Sequence, residues 1–252
     1  MIRLENLTKL YGSFVAVDDI SLHVPRGVLY GCLGPNGAGK TTTLRMIAGI
    51  LRPTQGRVLL GGDDVHVNPL SAKMRLGFIP DRPFVYDKLT GAEFLRFVAG
   101  LYGQEGDTVS RRITELLEVF ELTSWQDELV EAYSHGMRQK LIISSALIHR
   151  PECIVVDEPM VGLDPKAARL LKDIFRQFVE KGGTVLMSTH TLEIAGAMCD
   201  QIAIIQHGKI IAAGTVSDVR RQHKAGDASL EELFLKLTGG AQVRELAEVL
   251  GR

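Results

Sequence analysis

Eight consecutive residues, Gly34, Pro35, Asn36, Gly37, Ala38, Gly39, Lys40 and Thr41, constrain this 252-residue chain more than any other stretch. They follow an apolar run at 28–33 that reads as a strand, and they lead into a helical pattern reaching about residue 50. Glycines let a backbone curl until successive N–H groups converge, and the following helix turns its positive end to the same point. A strand–loop–helix unit of this spacing binds phosphate oxygens. Lys40 is expected to reach the β and γ phosphates. The Thr41 hydroxyl is offered to Mg2+, and Thr42 continues the phosphate-facing turn. Units of this kind belong to α/β sheets with parallel strands.

A second motif fits the first. Residues 153–156 are four apolar residues, followed by Asp157 and Glu158. The C-terminal ends of parallel strands line the ligand crevice, so both carboxylates are expected beside the phosphate loop. Asp157 suits the metal. Glu158, one residue past the strand, suits the base that positions a water.

The rest of the chain reads as an α/β rhythm with one interruption. Residues 2–7 and 15–24 are expected to be two antiparallel strands around a Tyr11-Gly12 turn, and 58–60 and 76–79 two further strands. From Thr90, which forms a capping box with Glu93, the pattern turns helical: 90–102, 109–120 and 134–149. A helical lobe at about 82–150 is therefore inserted between strands. The rhythm resumes with 153–156, a helix capped by Asp164 with Pro165 at its first position, strands 184–188 and 202–205, and a His207-Gly208 hairpin turn into 210–213. The tail from about 216 is helical, with a capping box at Ser229 and Glu232. Its Leu230, Leu233, Phe234 and Leu237 form a stripe for the main domain or for a partner. The expected division is a domain at 1–217 and a tail at 218–252.

Composition excludes several classes. Hydrophobic residues at 45% and charged residues at 23% are those of an ordinary folded chain. Lys plus Arg number 29 against 30 acids, so no basic excess points to nucleic acid. The longest uninterrupted apolar run is four residues, far short of the roughly 20 of a membrane span. The first residues lack the apolar core of a secretory signal, so the cytosol is the expected compartment. The three cysteines have no metal or disulfide spacing and are expected to be buried apolar groups.

With both motifs placed, the chain resembles the ATP-binding subunit of an ABC transporter over about residues 1–217. Tyr11 stands where the family carries an aromatic that stacks on adenine. Tyr133-Ser134-His135-Gly136-Met137 takes the place of the LSGGQ signature. Gly162-Leu163-Asp164-Pro165 resembles the D-loop, and Ser188-Thr189-His190 the switch-histidine segment. The resemblance implies a P-loop ATPase of ABC type with a mixed sheet, an antiparallel N-terminal part and the inserted lobe. It also implies two chains, identical or different, that sandwich ATP between one chain's phosphate loop and the other's Ser134 and Gly136. His190 would then contact the γ-phosphate. A transmembrane permease subunit would hold the chain at the cytoplasmic face of the cell membrane. Its docking is expected around residues 81–87, where Phe84, Val85 and Tyr86 follow Pro83.

The chain departs from the family pattern twice. Asp81 stands where the family has a glutamine, which keeps an oxygen for metal or water and adds negative charge beside Asp157 and Glu158. In the signature Tyr133, His135 and Met137 replace Leu, Gly and Gln, while Ser134 and Gly136 are kept. These departures are similar to the subset that serves exporters. A soluble ABC ATPase without a membrane partner, as in metal-cluster assembly, is the alternative.

Overall fold

The computed structural model describes residues 1–239 apart from 83, 161, 225 and 227. Pro83 and the last part of the expected tail, 240–252, lie outside the described residues.

The chain opens with a hairpin, β1 (Ile2–Tyr11) and β2 (Phe14–Val24). After β3 (Leu29–Leu33) and α1 (Lys40–Ile47) come β4 (Gln55–Leu60) and β5 (Asp63–Asp64). These β-strands, without β3, form a four-stranded antiparallel sheet in the order β2-β1-β4-β5. A short helix α2 (Pro69–Met74) leads to β6 (Leu76–Ile79). The lobe follows as α3 (Gly91–Leu101), α4 (Asp107–Val119) and α5 (His135–Leu147), with two 3-10 turns between the last two. Then come β7 (Cys153–Asp157), α6 (Pro165–Glu180), β8 (Thr184–Thr189), α7 (Leu192–Met198), β9 (Gln201–Gln206) and β10 (Lys209–Gly214). Two helices close the described part, α8 (Val216–Gln222) and α9 (Leu230–Thr238). The second sheet has the order β10-β9-β3-β8-β7-β6, parallel throughout except for β10. The expected mixed α/β fold with an antiparallel part and an inserted lobe is what forms.

The central strands read as continuous apolar runs because both faces are covered. Successive side chains of a strand point to opposite faces. Ile154 and Val156 of β7, with Val185 and Met187 of β8, join a core with α6 and the lobe. Cys153, Val155 and Leu186 point the other way, into a core with α1 and the antiparallel sheet. The lobe's own apolar residues, such as Leu95, Leu117 and Leu141, belong to the first of these cores, so lobe and sheet share one interior. The capping box at α3 is made: Glu93 N–H donates to Thr90 Oγ1 at 3.2 Å, and Thr90 N–H to the Glu93 carboxylate at 2.8 Å.

Of the two destinations open to the tail stripe, the main body receives it. Leu230 and Leu233 are buried against Leu33, Ile202, Ile204 and Ala195, and the half-buried Phe234 and Leu237 pack against the same cluster. Helix α8 runs across residue 217, so no break in secondary structure marks that position. Its capping box, Thr215 with Asp218, has no counterpart in the sequence reading. No helix among the described residues is long and apolar enough to cross a membrane.

Candidate active site

The loop after β3 is wedged between neighbours. A Cβ added to Gly34 would lie 2.3 Å from the carbonyl oxygen of Ile205 on β9, and one on Gly39 would lie 2.5 Å from that of Ala16 on β2. Gly39 also sits at φ +104, a conformation that side chains rarely adopt. Ala38 O accepts the Gly208 N–H at 3.0 Å, so the β9–β10 turn braces the loop. Both residues of that turn, His207 and Gly208, have positive φ, as the hairpin reading requires.

Gly39 is the N-cap of α1 and supplies no side-chain cap. The first amides of a helix have no partner within it, so those of Lys40, Thr41 and Thr42 are free to meet an anion. Together with residues 36–42, Tyr11, Phe14, Ala16, Asp81 and Glu158 line a cavity of about 360 Å³ there. Tyr11 and Phe14 are exposed on its wall, two aromatic faces suited to a planar base. Lys40 is buried, and its Nζ donates to the carbonyls of Gly34 at 2.7 Å and Pro35 at 3.2 Å.

The two acids part company at the end of β7. Asp157 is 1% exposed, lies behind the cavity and accepts a hydrogen bond from the Ser188 hydroxyl. Glu158 takes a left-handed backbone, φ +49, and faces the cavity. One Glu158 oxygen is 3.8 Å from Lys40 Nζ and 2.9 Å from His190 Nδ1. The structure therefore brings Lys40, Glu158 and His190 together at the start of α1. Asp81 is 3.8 Å from Arg45 of α1, which keeps it at the cavity wall.

Ser134, Gly136 and Asp164 are elsewhere: none of them lines this cavity. Each acid or hydroxyl caps its own helix instead, Ser134 Oγ accepting from Met137 N–H at 3.3 Å and Asp164 from Ala167 N–H at 2.8 Å. The two segments are neighbours, since a Cβ built on Gly162 would lie 2.6 Å from His135 Cε1. Ser134 and His135 are exposed, and nothing stands within 4 Å of a Cβ on Gly136. Tyr133 explains its own substitution: it is buried in the lobe core, and its hydroxyl donates to Trp125 O at 2.6 Å.

Among the described residues no three His, Cys, Asp or Glu side chains form a metal cluster. Hard oxygen donors at the cavity include the Thr41 hydroxyl and the carboxylates of Asp81 and Glu158, with the buried Asp157 carboxylate at the same strand end, a sparse set. That set fits Mg2+, which keeps waters and takes substrate phosphates as ligands. The cysteines are free, and burial pushes the thiols of Cys32, Cys153 and Cys199 up to about 12. A larger cavity of about 620 Å³, rimmed by Arg26, Arg112, Arg150 and Lys181, lies at the opposite strand ends. There α5 and α6 end, and carbonyls at helix C-termini call for cations: Arg112 donates to Leu147 O at 3.4 Å. Arg26 is paired instead with Glu152 at 2.8 Å.

Sequence reasoning does not find Phe14, and it names Ser188 only as part of the switch-histidine segment, without its contacts to Asp157 and Glu158. Phe14 has a usable signal, an aromatic directly across the turn from Tyr11. The Ser188 contacts have none, because Asp157 and Glu158 stand 31 and 30 residues away in the chain.

A parallel-centred α/β fold, with a glycine-rich loop entering a helix and two carboxylates at the end of a strand two places along the same sheet, defines a nucleotide-binding P-loop domain. The family model for ABC transporters matches residues 17–161, more than half of the chain, and the chain belongs to this family. The ABC transporter ATP-binding protein YbhF of Escherichia coli (strain K12) is 36% identical over 240 residues, 94% of this chain and 41% of that protein. The chain thus spans about two fifths of YbhF's length. Nod factor export ATP-binding protein I of Cupriavidus metallidurans is 37% identical over 214 residues, 85% of this chain and 71% of that one. A solved structure described as the ATP binding subunit of an ABC transporter superposes with a TM-score of 0.89 at 34% identity, covering 94% of this chain and 99% of the other.

Proposed function

We propose that the chain binds ATP with Mg2+ and hydrolyses it, powering export through a separate permease subunit at the cytoplasmic face of the membrane. The observation that carries this reading is the cluster of Lys40, Glu158 and His190 around the free amides of α1. In the proposed reaction Glu158 orients a water and takes its proton as the oxygen bonds to the γ-phosphorus and the bond to ADP breaks. Lys40 and His190 meet the charge that spreads over the γ-phosphoryl oxygens. The backbone of residues 34–39 and the hydroxyls of Thr41 and Thr42 hold the phosphates, and Tyr11, with Phe14 beside it, stacks on the base. Thr41, Asp157 and Asp81 would hold Mg2+, which neutralises phosphate charge when bound.

The position of Ser134, Gly136 and Asp164 outside the cavity supports a dimer. Exposed helix starts of this kind suit the nucleotide held by a second chain, identical or different. Residues 1–217 form the ATPase unit of this reading, with 218–252 as a tail. The absence of a crossing helix among the described residues leaves the membrane span to the permease. Phe84 and Tyr86, 79% and 51% exposed, meet edge-on, and Tyr86 meets Phe97 in the same way, to offer it an aromatic surface beside Asp81. The name of the Cupriavidus relative supports export as the direction.

Lys40→Ala tests the core of the proposal. Binding of a fluorescent ATP analogue is expected to fall at least ten-fold with the melting midpoint held within a few degrees; unchanged binding contradicts the assignment.

A further inference from the structure

We infer that Ser188 is a positioning residue that sets both carboxylates of the hydrolytic site through one hydroxyl. It rests on the proposed roles of Asp157 and Glu158.

Ser188 is fully buried on β8, in register with Asp157 on β7. Its hydroxyl has one proton and two lone pairs. The neighbours leave a single arrangement: the Glu158 amide can only donate, and it does so to Ser188 Oγ at 3.0 Å, so the hydroxyl proton goes to the Asp157 carboxylate. One Asp157 oxygen is thereby committed, and the orientation of the other is set for a cation. On the other side, the amide bond helps hold Glu158 at φ +49, a costly conformation for a residue with a side chain. That backbone turn is what aims the Glu158 side chain at Lys40 and His190 instead of continuing the strand. The strand end that carries Ser188 also carries His190, so β8 grips Glu158 by its amide and by its carboxylate.

A purely structural role predicts something different. The Glu158 amide also donates to the Ser188 carbonyl at 3.3 Å, so the fold keeps a partner for it when the hydroxyl is lost. Asp157 loses its donor altogether. Partners that orient metal ligands are typically worth about 10- to 100-fold in metal affinity or activity.

The experiment compares Ser188→Ala, Ser188→Cys and Ser188→Thr in the full chain. Cysteine keeps the volume with a poor hydrogen bond, and threonine keeps the hydroxyl. Three quantities are read: kcat and KM for ATP, the affinity for Mn2+ by electron paramagnetic resonance with ATP bound, and the melting midpoint. The Ala and Cys variants are expected to lose about ten-fold or more in both kcat and Mn2+ affinity. KM for ATP should stay within about two-fold, and threonine should restore both losses. Cysteine with wild-type kcat and Mn2+ affinity overturns the inference, including when alanine fails to fold. Asp157→Asn and Glu158→Gln run alongside. If those two leave turnover intact, the underlying assignment has failed; if they abolish it while Ala and Cys leave it intact, only the role of Ser188 has.

Discussion

Gly39 shows how little freedom the nucleotide loop has. Its left-handed φ and its 2.5 Å clearance from the Ala16 carbonyl leave a Cβ nowhere to go. Gly39→Ala is expected to cost about 1–3 kcal/mol from the backbone alone and to lower the affinity for a fluorescent ATP analogue at least ten-fold. Wild-type affinity in an equilibrium titration contradicts the loop geometry. Residues of this kind are legible in a sequence because their chemistry is contiguous: Gly34 to Thr41, and Asp157 with Glu158, advertise themselves in one short stretch. Other site properties are not contiguous. The contact of Glu158 with His190, the grip of Ser188 and the left-handed turn of Glu158 depend on β7 lying beside β8. No local pattern records that pairing.

Elements were legible where a cap or a period marks them. Thr90 with Glu93, Asp164 with Pro165, and Ser229 with Glu232 mark the starts of α3, α6 and α9. Helix α2 is only six residues and β5 two, too short for any hydrophobic period to develop. The join between lobe and sheet is held in part by His149, just past α5, whose ring stacks on Tyr102 at 3.7 Å and whose Nε2 is 3.1 Å from Leu76 O on β6. Burial lowers the pKa of His149, and of His66 likewise. The unfolded chain therefore binds more protons than the folded one below about pH 6.5. This contribution to stability is present above that pH and shrinks as pH falls towards the folded-state value. The melting midpoint is expected to drop between pH 7.5 and 5.5, and His149→Gln to flatten the drop. An identical slope in the variant shows that His149 does not carry it.

At the scale of the molecule, the inserted lobe was legible as a break in the α/β rhythm. That it shares its core with the sheet was not, because burial on both faces of β7 looks the same whatever covers them. The shared core matters for function, since it fixes the start of α5 relative to the strand ends while keeping Ser134 and Gly136 off the chain's own cavity. In the proposed reading the exposed aromatics of the lobe dock the permease. Phe84→Ser is expected to leave ATP hydrolysis by the isolated chain within about two-fold and to abolish transport by the assembled complex; normal transport removes Phe84 from that interface. The central claim is that two chains close on ATP and that Glu158 then drives its hydrolysis. Glu158→Gln with MgATP, followed by light scattering and bound-nucleotide analysis, tests it most directly. The account predicts a dimer that retains unhydrolysed ATP with turnover nearly gone; a monomer that continues to release phosphate contradicts it.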